Sequence, residues 1–379
     1  MAKKKVEESQ EAEETRKDEL ALSIVETLNK SFKDGQVAYI IGQEETPTDL
    51  TDFVSTGSSL LDLAISNRLY GGIACGRITE LTGLEGSGKS LIAAHMMASV
   101  QKEGGVVVLI DTENAVNPEF FEAIGLNLGQ MVYAQPNNVE DIFMMIESII
   151  AKVREKQGND KKIVIVVDSV AAAPTKQEME ADYNKDGYAT GKAIIISKAM
   201  RKITQLIAKQ KIALVFTNQL RQKMNAPAFS DPWTTSGGKA LAFHASVRLR
   251  LSLTGKLKNS NKDIVGVSCK ASVVKNRLGP PYRTAEFNVY FDRGIDDYES
   301  WLKFCKDKDL VKTGGAYITY TTLDGIDHKM ASKEWSSFLE NNPELKTEVY
   351  KRIAETAIMS YSTAGLSPDD ISTDEGTDE

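Results

Sequence analysis

The chain has 379 residues, 41% hydrophobic and 26% charged, with a formal net charge of -7, a balance that excludes a disordered or fibrous polypeptide and allows a large core with small accessory units. No apolar run approaches the ~18 residues of a membrane-spanning helix, and the start MAKKKVEESQEAEE lacks the apolar centre of a signal peptide, so a soluble, cytoplasmic protein without membrane contact is expected. Cys75, Cys269 and Cys305 show no C-x-x-C spacing, which argues against a disulfide framework or zinc site and for reduced, buried thiols.

In chain order, residues 1–52 read as a tail, an oligomerisation helix and a strand. LALSIVETLNKSF (20–32) has apolar positions at helical spacing, and Asp34-Gly35 breaks it before the strand-like VAYII. Neither element can bury its own apolar face, so both must pack on the main domain or on a neighbouring subunit. Over 53–296 strands and helices alternate: ITELT; VVVLID (106–111); VEDIFMMIESIIAKVREK; KIVIVVDS (162–169); a helix around Ile194 to Lys209; IALVFTNQ (212–219). Apolar strands joined through helices give a twisted, mostly parallel α/β sheet. After about residue 245 shorter β-like runs (SVRLRLSL, IVGVSCKASVVK, TAEFNVYF) extend it antiparallel. Residues 297–360 form a small α/β unit ending in a helix, and the acidic 361–379 is expected to be disordered.

GLEGSGKS (83–90) fulfils G-x-x-x-x-G-K-[ST] between a strand and a helix. Backbone N–H groups of Gly83, Leu84, Glu85, Gly86, Ser87 and Gly88 can curl around phosphates, Lys89 reaches the β/γ-phosphates and Ser90 ligates Mg²⁺. ATP and Mg²⁺ are therefore expected. Asp168, closing its strand, is the second acidic element for Mg²⁺. Asp111 and Glu113 end another strand, and ligands of open α/β sheets bind beyond that edge. Glu113 is the choice to orient and polarise the attacking water, with Asp111 as structural or metal-side alternative. Gln219 ends the next strand, where an amide can sense the γ-phosphate and move the loop behind it.

That loop (221–238) mixes Arg221 and Lys223 for phosphates, Phe229 and Trp233 for stacking, and Thr234, Thr235, Gly237 and Gly238 for close backbone approach. A second irregular segment, 178–192, should emerge on the same edge, and two such loops can line a channel for an extended polymer. Residues 218–283 hold twelve basic residues against Asp231 and Asp263, whereas from Ile353 onward seven acids meet no Lys or Arg. The block can attract nucleic acid and the tail can compete for it. From charge alone a solvated basic surface is the first reading. Lys275, Asn276 and Arg277 either lie on such a surface or act as arginine-finger equivalents inserted by a neighbouring subunit.

As a set, STGSSLLDLAI, GRITELTGLEGSGKS, VLIDTENAVNP, VIVVDSVAA, SKAMRK, TNQLRQK, TTSGGKALAFHASVRL and VVKNR resemble, in order, the RecA family of strand-exchange recombinases, from about Leu20 to Ser360. The resemblance implies a RecA-like P-loop core, an N-terminal arm on the adjacent protomer, and a DNA-stimulated ATPase. Its filament on single-stranded DNA would pair and exchange strands with homologous duplex in recombination and DNA repair, aided by single-strand-binding and loader proteins. It also implies Glu113 as catalytic glutamate, Asp168 as Walker B aspartate, Gln219 as sensor, and Lys275 and Arg277 as cations reaching a neighbour's ATP. Phe120 and Asn117 stand at the adenine. Ser197, Arg201, Arg221, Lys223, Met224, Thr234, Gly237 and Gly238 match DNA-loop positions, and Phe243 an interface phenylalanine.

Departures point to a divergent member of the kind a phage encodes. Ile194 stands where a basic residue is expected, with Lys192 as the nearby substitute; Trp233 replaces an acid, and AKVREKQGNDKK is lengthened. A hexameric helicase would lack VVKNR, a small-molecule kinase would need a lid and acceptor site, and an ATP-gated scaffold would not need Glu113.

Overall fold

A computed structural model describes residues 19–32, 36–41, 46, 49–114, 116–155, 161–180, 188–223, 232–235 and 238–360. The acidic tail, residues 181–187 of the first loop, and Met224, Phe229 and Gly237 of the second lie outside the described residues. The chain divides into two compact units, Met1–Thr51 and Asp52–Glu379.

In the first unit, helix α1 (residues 19–31) begins where the apolar period begins. Leu20, Leu22, Ile24, Leu28 and Phe32 are exposed. Asn29 Oδ1 accepts from the backbone N–H groups of Val37 and Ala38, both at 2.8 Å, turning the following segment back towards the helix. The segment VAYII, expected as a strand, has among the described residues no regular strand, only one bridge residue at Ile41. A strand needs a continuous partner to satisfy its alternate N–H and C=O groups, and apolar content alone supplies none.

The second unit opens with β1 (Phe53–Val54), paired antiparallel to β2 (Ile73–Ala74) around α2 (Ser59–Ser66). Ser58 caps α2 by accepting from Leu61 N–H, and Asn67 closes it in the left-handed region at φ 53°. There follow β3 (Ile78–Gly83), α3 (Lys89–Lys102), β4 (Val106–Asp111), α4 (Pro118–Ala123), β5 (Met131–Ala134), α5 (Val139–Glu155), β6 (Ile163–Asp168), α6 (Lys176–Glu180), α7 (Tyr188–Lys209) and β7 (Ile212–Gln222). Then come β8 (Trp233–Thr235), α8 (Ala240–His244), β9 (Val247–Lys258), β10 (Ile264–Asn276), β11 (Thr284–Tyr290) and β12 (Gly294–Asp296).

Nine of these strands run in the order β12-β11-β10-β9-β3-β7-β6-β4-β5, with β8 paired to β7. The pairs from β9 through β3, β7, β6 and β4 to β5 are parallel; those among β9, β10, β11 and β12 are antiparallel. The parallel sheet with antiparallel extension is thus as the pattern predicts. Its cause is visible in β6, where Ile163, Val164, Ile165, Val166 and Val167 are all buried, as β-branched residues must be when helices cover both faces. One apolar cluster joins α3 and α2 to one face, and a second joins α5 and α7 to the other. Each fully buried Ile, Val or Leu contributes about 1.5–3 kcal/mol.

The remaining elements are α9 (Asp297–Asp307), a three-stranded antiparallel sheet of β13 (Lys312–Gly314), β14 (Tyr317–Thr321) and β15 (Asp327–Ala331), α10 (Trp335–Asn341) and α11 (Pro343–Ala357). Their own core gathers Trp301, Ile318, Tyr320, Trp335, Leu339, Tyr350 and Ile353, and Leu63 of α2 joins it. The three cysteines are free and buried. Among the described residues no helix is long and apolar enough to cross a membrane.

One boundary differs from the sequence reading. Much of the segment 178–192 is helical at its ends, since α6 runs to Glu180 and α7 starts at Tyr188. Ile196, Met200, Ile203 and Ile207 bury one stripe of α7 on the sheet, and that anchored stripe lets helical hydrogen bonding extend upstream.

Candidate functional site

β3 ends at Gly83, and the chain bends through GLEGSGKS into α3. Gly86 and Gly88 hold positive φ of 70° and 93°, backbone that L side chains adopt only with strain. A Cβ on Gly83 would stand 2.1 Å from Ser87 Oγ, so the first glycine is required by close approach. No side chain caps α3, which leaves its first-turn N–H groups to an outside acceptor. Ser87 Oγ is buried without a hydrogen-bond partner among the described residues. An orphaned donor and open amides around a positive-φ loop fit a phosphate group.

Lys89 Nζ donates to Leu84 O at 2.8 Å and Gly83 O at 3.2 Å. Burial holds its ammonium below the usual lysine range, opposed by the charges of Asp168, Glu113 and Glu85. The sheet register explains why those groups meet: Gly83 is level with Gln219 on β7, and Asp111 on β4 is level with Asp168 on β6. Their strands are parallel, so all four stand at one edge, as expected for an open α/β site.

The two acids of LIDTEN divide their work. Asp111 is buried; its Oδ1 accepts from Glu113 N at 2.9 Å and Asn114 N at 3.0 Å, and its Oδ2 accepts from Tyr133 O–H at 3.0 Å. It shapes the turn. Glu113 is exposed, and Ser169 Oγ donates to its Oε1 at 2.6 Å. Thr112 Oγ1 donates to Ser169 O at 2.6 Å and accepts from Ser169 N at 3.0 Å, locking the ends of β4 and β6 together. Ser169, Thr112 and Tyr133 escaped the sequence reading, because a hydroxyl beside a strand end carries no pattern of its own. Asp168 Oδ1 accepts from Thr217 O–H at 2.5 Å. Asn117 Oδ1 accepts from Phe120 N at 3.2 Å as the N-cap of α4, and Phe120 packs on the core.

Gln219 Nε2 donates to Glu85 Oε1 in the P-loop at 2.7 Å. Beyond it the second loop is built on a hairpin: Arg221 pairs with Thr234 and Gln222 with Trp233, and Lys223 N donates to Pro232 O at 2.8 Å. Arg221, Lys223 and Thr234 are exposed. Gly238, at φ 78°, would place a Cβ 3.1 Å from Ala193 Cβ on α7, so the end of this loop abuts the helix that follows the first. Lys192 does not stand free in place of a basic residue at Ile194. Its ammonium donates to Ala173 O at 2.6 Å and Ala171 O at 2.8 Å, fixing the chain after β6. Arg201 donates to Ser197 Oγ at 2.9 Å, one helical turn away.

Lys275 and Phe243 lie together, and Lys275 Nζ donates to Ala242 O and Phe243 O, both at 2.8 Å. Phe243 is 69% exposed. Burial, then the charges of Arg277 and Arg248, bring Lys275 down to about 8 against the pull of Glu80. His244, missed in the sequence, sits among Arg201, Lys275 and Arg277, and is held below the usual histidine range by burial first and these cations next. Phe243 and this cation cluster are remote in sequence from the P-loop, and Glu80 is the acid whose charge acts on Lys275.

A family model described as the RecA N-terminal domain matches residues 19–296. The chain belongs to the RecA family. Proteins named RecA resemble it along nearly their whole length: that of Trichodesmium erythraeum is 32% identical over 361 residues, covering 94% of each chain. That of Arthrobacter is 34% identical over 86% of this chain and 88% of its own, and that of Campylobacter jejuni 34% identical over 91% and 96%. As a member of the RecA family, the chain is a DNA-dependent P-loop ATPase and strand-exchange recombinase of recombination and repair; it binds ATP and DNA and forms filaments.

Proposed function

We propose that this chain polymerises on single-stranded DNA with ATP bound between protomers, pairs it with homologous duplex, and releases it after hydrolysis. The observation that carries the residue assignment is the shared sheet edge, where Gly83 and Asp168 close parallel strands, Gln219 stands level with Gly83 on β7, which runs on to Gln222, and the Asp168 charge acts on the Lys89 ammonium. Lys89 and the amides of residues 83–88 hold the β- and γ-phosphates. Ser90 and Asp168 would hold Mg²⁺. When bound, that ion would offset the negative charge that develops on the phosphates during transfer. Glu113, oriented by Ser169, takes the proton of the attacking water as the bond to the leaving ADP breaks.

Asn117 and Phe120 flank the adenine. Gln219 senses the γ-phosphate and passes its state along β7 into the second loop. Lys275 and Arg277 reach the nucleotide of a neighbour, with Phe243 in the same contact. DNA lies against Arg201, Ser197, Arg221, Lys223 and Thr234, with Met224, Phe229, Gly237 and Gly238 in the same loop. On this reading residues 1–52 are the assembly arm, 53–296 the motor and 297–360 an accessory unit. Single-strand-binding and loader proteins assist it in the cytoplasm.

ATP hydrolysis by the purified chain, with and without single-stranded DNA and with salt titrated in both, tests this. Strong stimulation that fades as salt rises is expected, because phosphate contacts release counterions. Turnover indifferent to DNA would remove the two loops from the DNA path.

A further inference from the structure

A carboxylate in a loop that cradles phosphates opposes its own ligand, because like charges a few ångströms apart repel. Glu85 is such a group, exposed at the second position after Gly83. Its partner is the side chain of Gln219, whose Nε2 donates to Glu85 Oε1 at 2.7 Å. Gln219 is followed directly by Leu220, Arg221 and Gln222, which pair with Thr235, Thr234 and Trp233. The P-loop and the base of the second loop are thus joined by this side-chain hydrogen bond, beside the ladder pair Gly83–Gln219.

We propose that Glu85 is a positioning residue, a latch that holds Gln219, and through it the β7–β8 hairpin, in the nucleotide-free arrangement until an incoming triphosphate displaces it. The proposal rests on the reading of Gln219 as γ-phosphate sensor. The triphosphate repels the Glu85 carboxylate and offers the Gln219 amide a more strongly charged acceptor, so one event opens the latch and re-pairs the sensor. The acid costs some affinity for ATP and in return holds the β7–β8 base of the second loop in place when no ATP is present.

The test measures binding of a fluorescent oligothymidylate by the full chain, without nucleotide and with a slowly hydrolysed ATP analogue, for Glu85→Ala, Glu85→Gln, Gln219→Ala and the Glu85→Ala/Gln219→Ala double variant; thermal melting verifies that each is folded. A hydrogen bond to a charged group is worth roughly a tenfold change in an equilibrium. Glu85→Ala should therefore raise nucleotide-free affinity about tenfold, and shrink the gain from nucleotide. Glu85→Gln keeps an oxygen to accept from Gln219 while losing the charge, and should stay near wild type without nucleotide. In the Gln219→Ala background, Glu85→Ala should add nothing.

An equal rise in Glu85→Ala and Glu85→Gln would reduce the effect to lost charge and overturn the latch. Unchanged nucleotide-free affinity in Glu85→Ala would overturn it too. If Gln219→Ala leaves the nucleotide dependence intact, the sensor reading itself falls. If it abolishes that dependence while Glu85→Ala behaves as wild type, the latch alone falls.

Discussion

At the scale of single residues, the site rests on side chains whose neighbours decide their roles. Asp111 and Glu113 are both acids at a strand end, yet Asp111 spends its oxygens on Glu113 N, Asn114 N and Tyr133 O–H, leaving Glu113 as the acid that can meet water. Glu113→Gln should lower ATP turnover by about 10²-fold or more, the usual range for losing a general base, while ATP-dependent filaments on single-stranded DNA remain visible by electron microscopy; loss of those filaments would count against the role given to Glu113. Lys275 supplies a pH test. Its value of about 8 means the cation is present at pH 7 and lost as pH rises through 8 to 9. ATP-dependent assembly, followed by light scattering, should weaken over that window, and Lys275→Arg, with a guanidinium that stays protonated, should hold it up. Wild-type assembly that is flat from pH 7 to 9 would show that the Lys275 charge is not used.

At the scale of elements, α2 and α9 meet through buried acids. Ser59 donates its N–H and O–H to Asp297 at 2.9 and 2.7 Å, and Asp62, nearby, accepts from Ser55 O–H, Thr56 N–H and Thr56 O–H. Trp301 of α9 stacks on Tyr350 of α11 at 5.3 Å, and Arg283 donates to Leu63 O and Asn67 Oδ1 of the α2 region. Burial pushes Asp62 up to about 7 and Asp297 up to about 6, against their hydrogen bonds. A carboxyl raised in the fold binds its proton more tightly there than in the unfolded chain, so its contribution to stability is complete below pH ~4 and disappears as pH rises through 6 and 7. Asp62→Asn, which mimics the protonated acid, should flatten the decline in urea midpoint between pH 5 and 7.5. An unaltered slope would mean that Asp62 is ionised throughout.

On α3, burial between Gly57 and Gly294 pulls His95 down to about 4, so its neutral ring accepts from Ile295 N at 3.2 Å. The P-loop helix is thereby tied to β12, immediately before the C-terminal elements. The Ser59–Asp297, Leu63–Arg283 and His95–Ile295 junctions have no sequence signature, since each joins residues two hundred or more positions apart.

For the whole molecule, charge is segregated along the chain. From Ile353 onward there are seven acids and no base, so the preceding residues balance to zero within the net charge of -7. Removing residues 361–379 should raise affinity for duplex DNA and steepen its salt dependence, measured by filter binding across 50–200 mM salt, as more phosphate contacts become available. Unchanged affinity and slope would dismiss the tail as a competitor. The small α/β unit expected at 297–360 has an aromatic core that also takes in Leu63 of α2, so it is closed by a side chain from the main body.

The sequence by itself determined what depends on local spacing. The P-loop was legible because its chemistry needs glycines, a lysine and a hydroxyl at fixed intervals on one strand–turn–helix, and the parallel sheet because β-branched runs such as IVIVV can only be buried on both faces. The family resemblance was likewise legible, because its motifs recur in order. Tertiary structure decided what depends on register and on distant partners: that Gly83 and Gln219 stand level with each other, that Glu85 holds Gln219, that Ser169 holds Glu113, and that Lys192 is occupied by two carbonyls. A side chain's residue type states what it can bond, but which partner comes within about 3 Å is set only when strands separated by a hundred residues align.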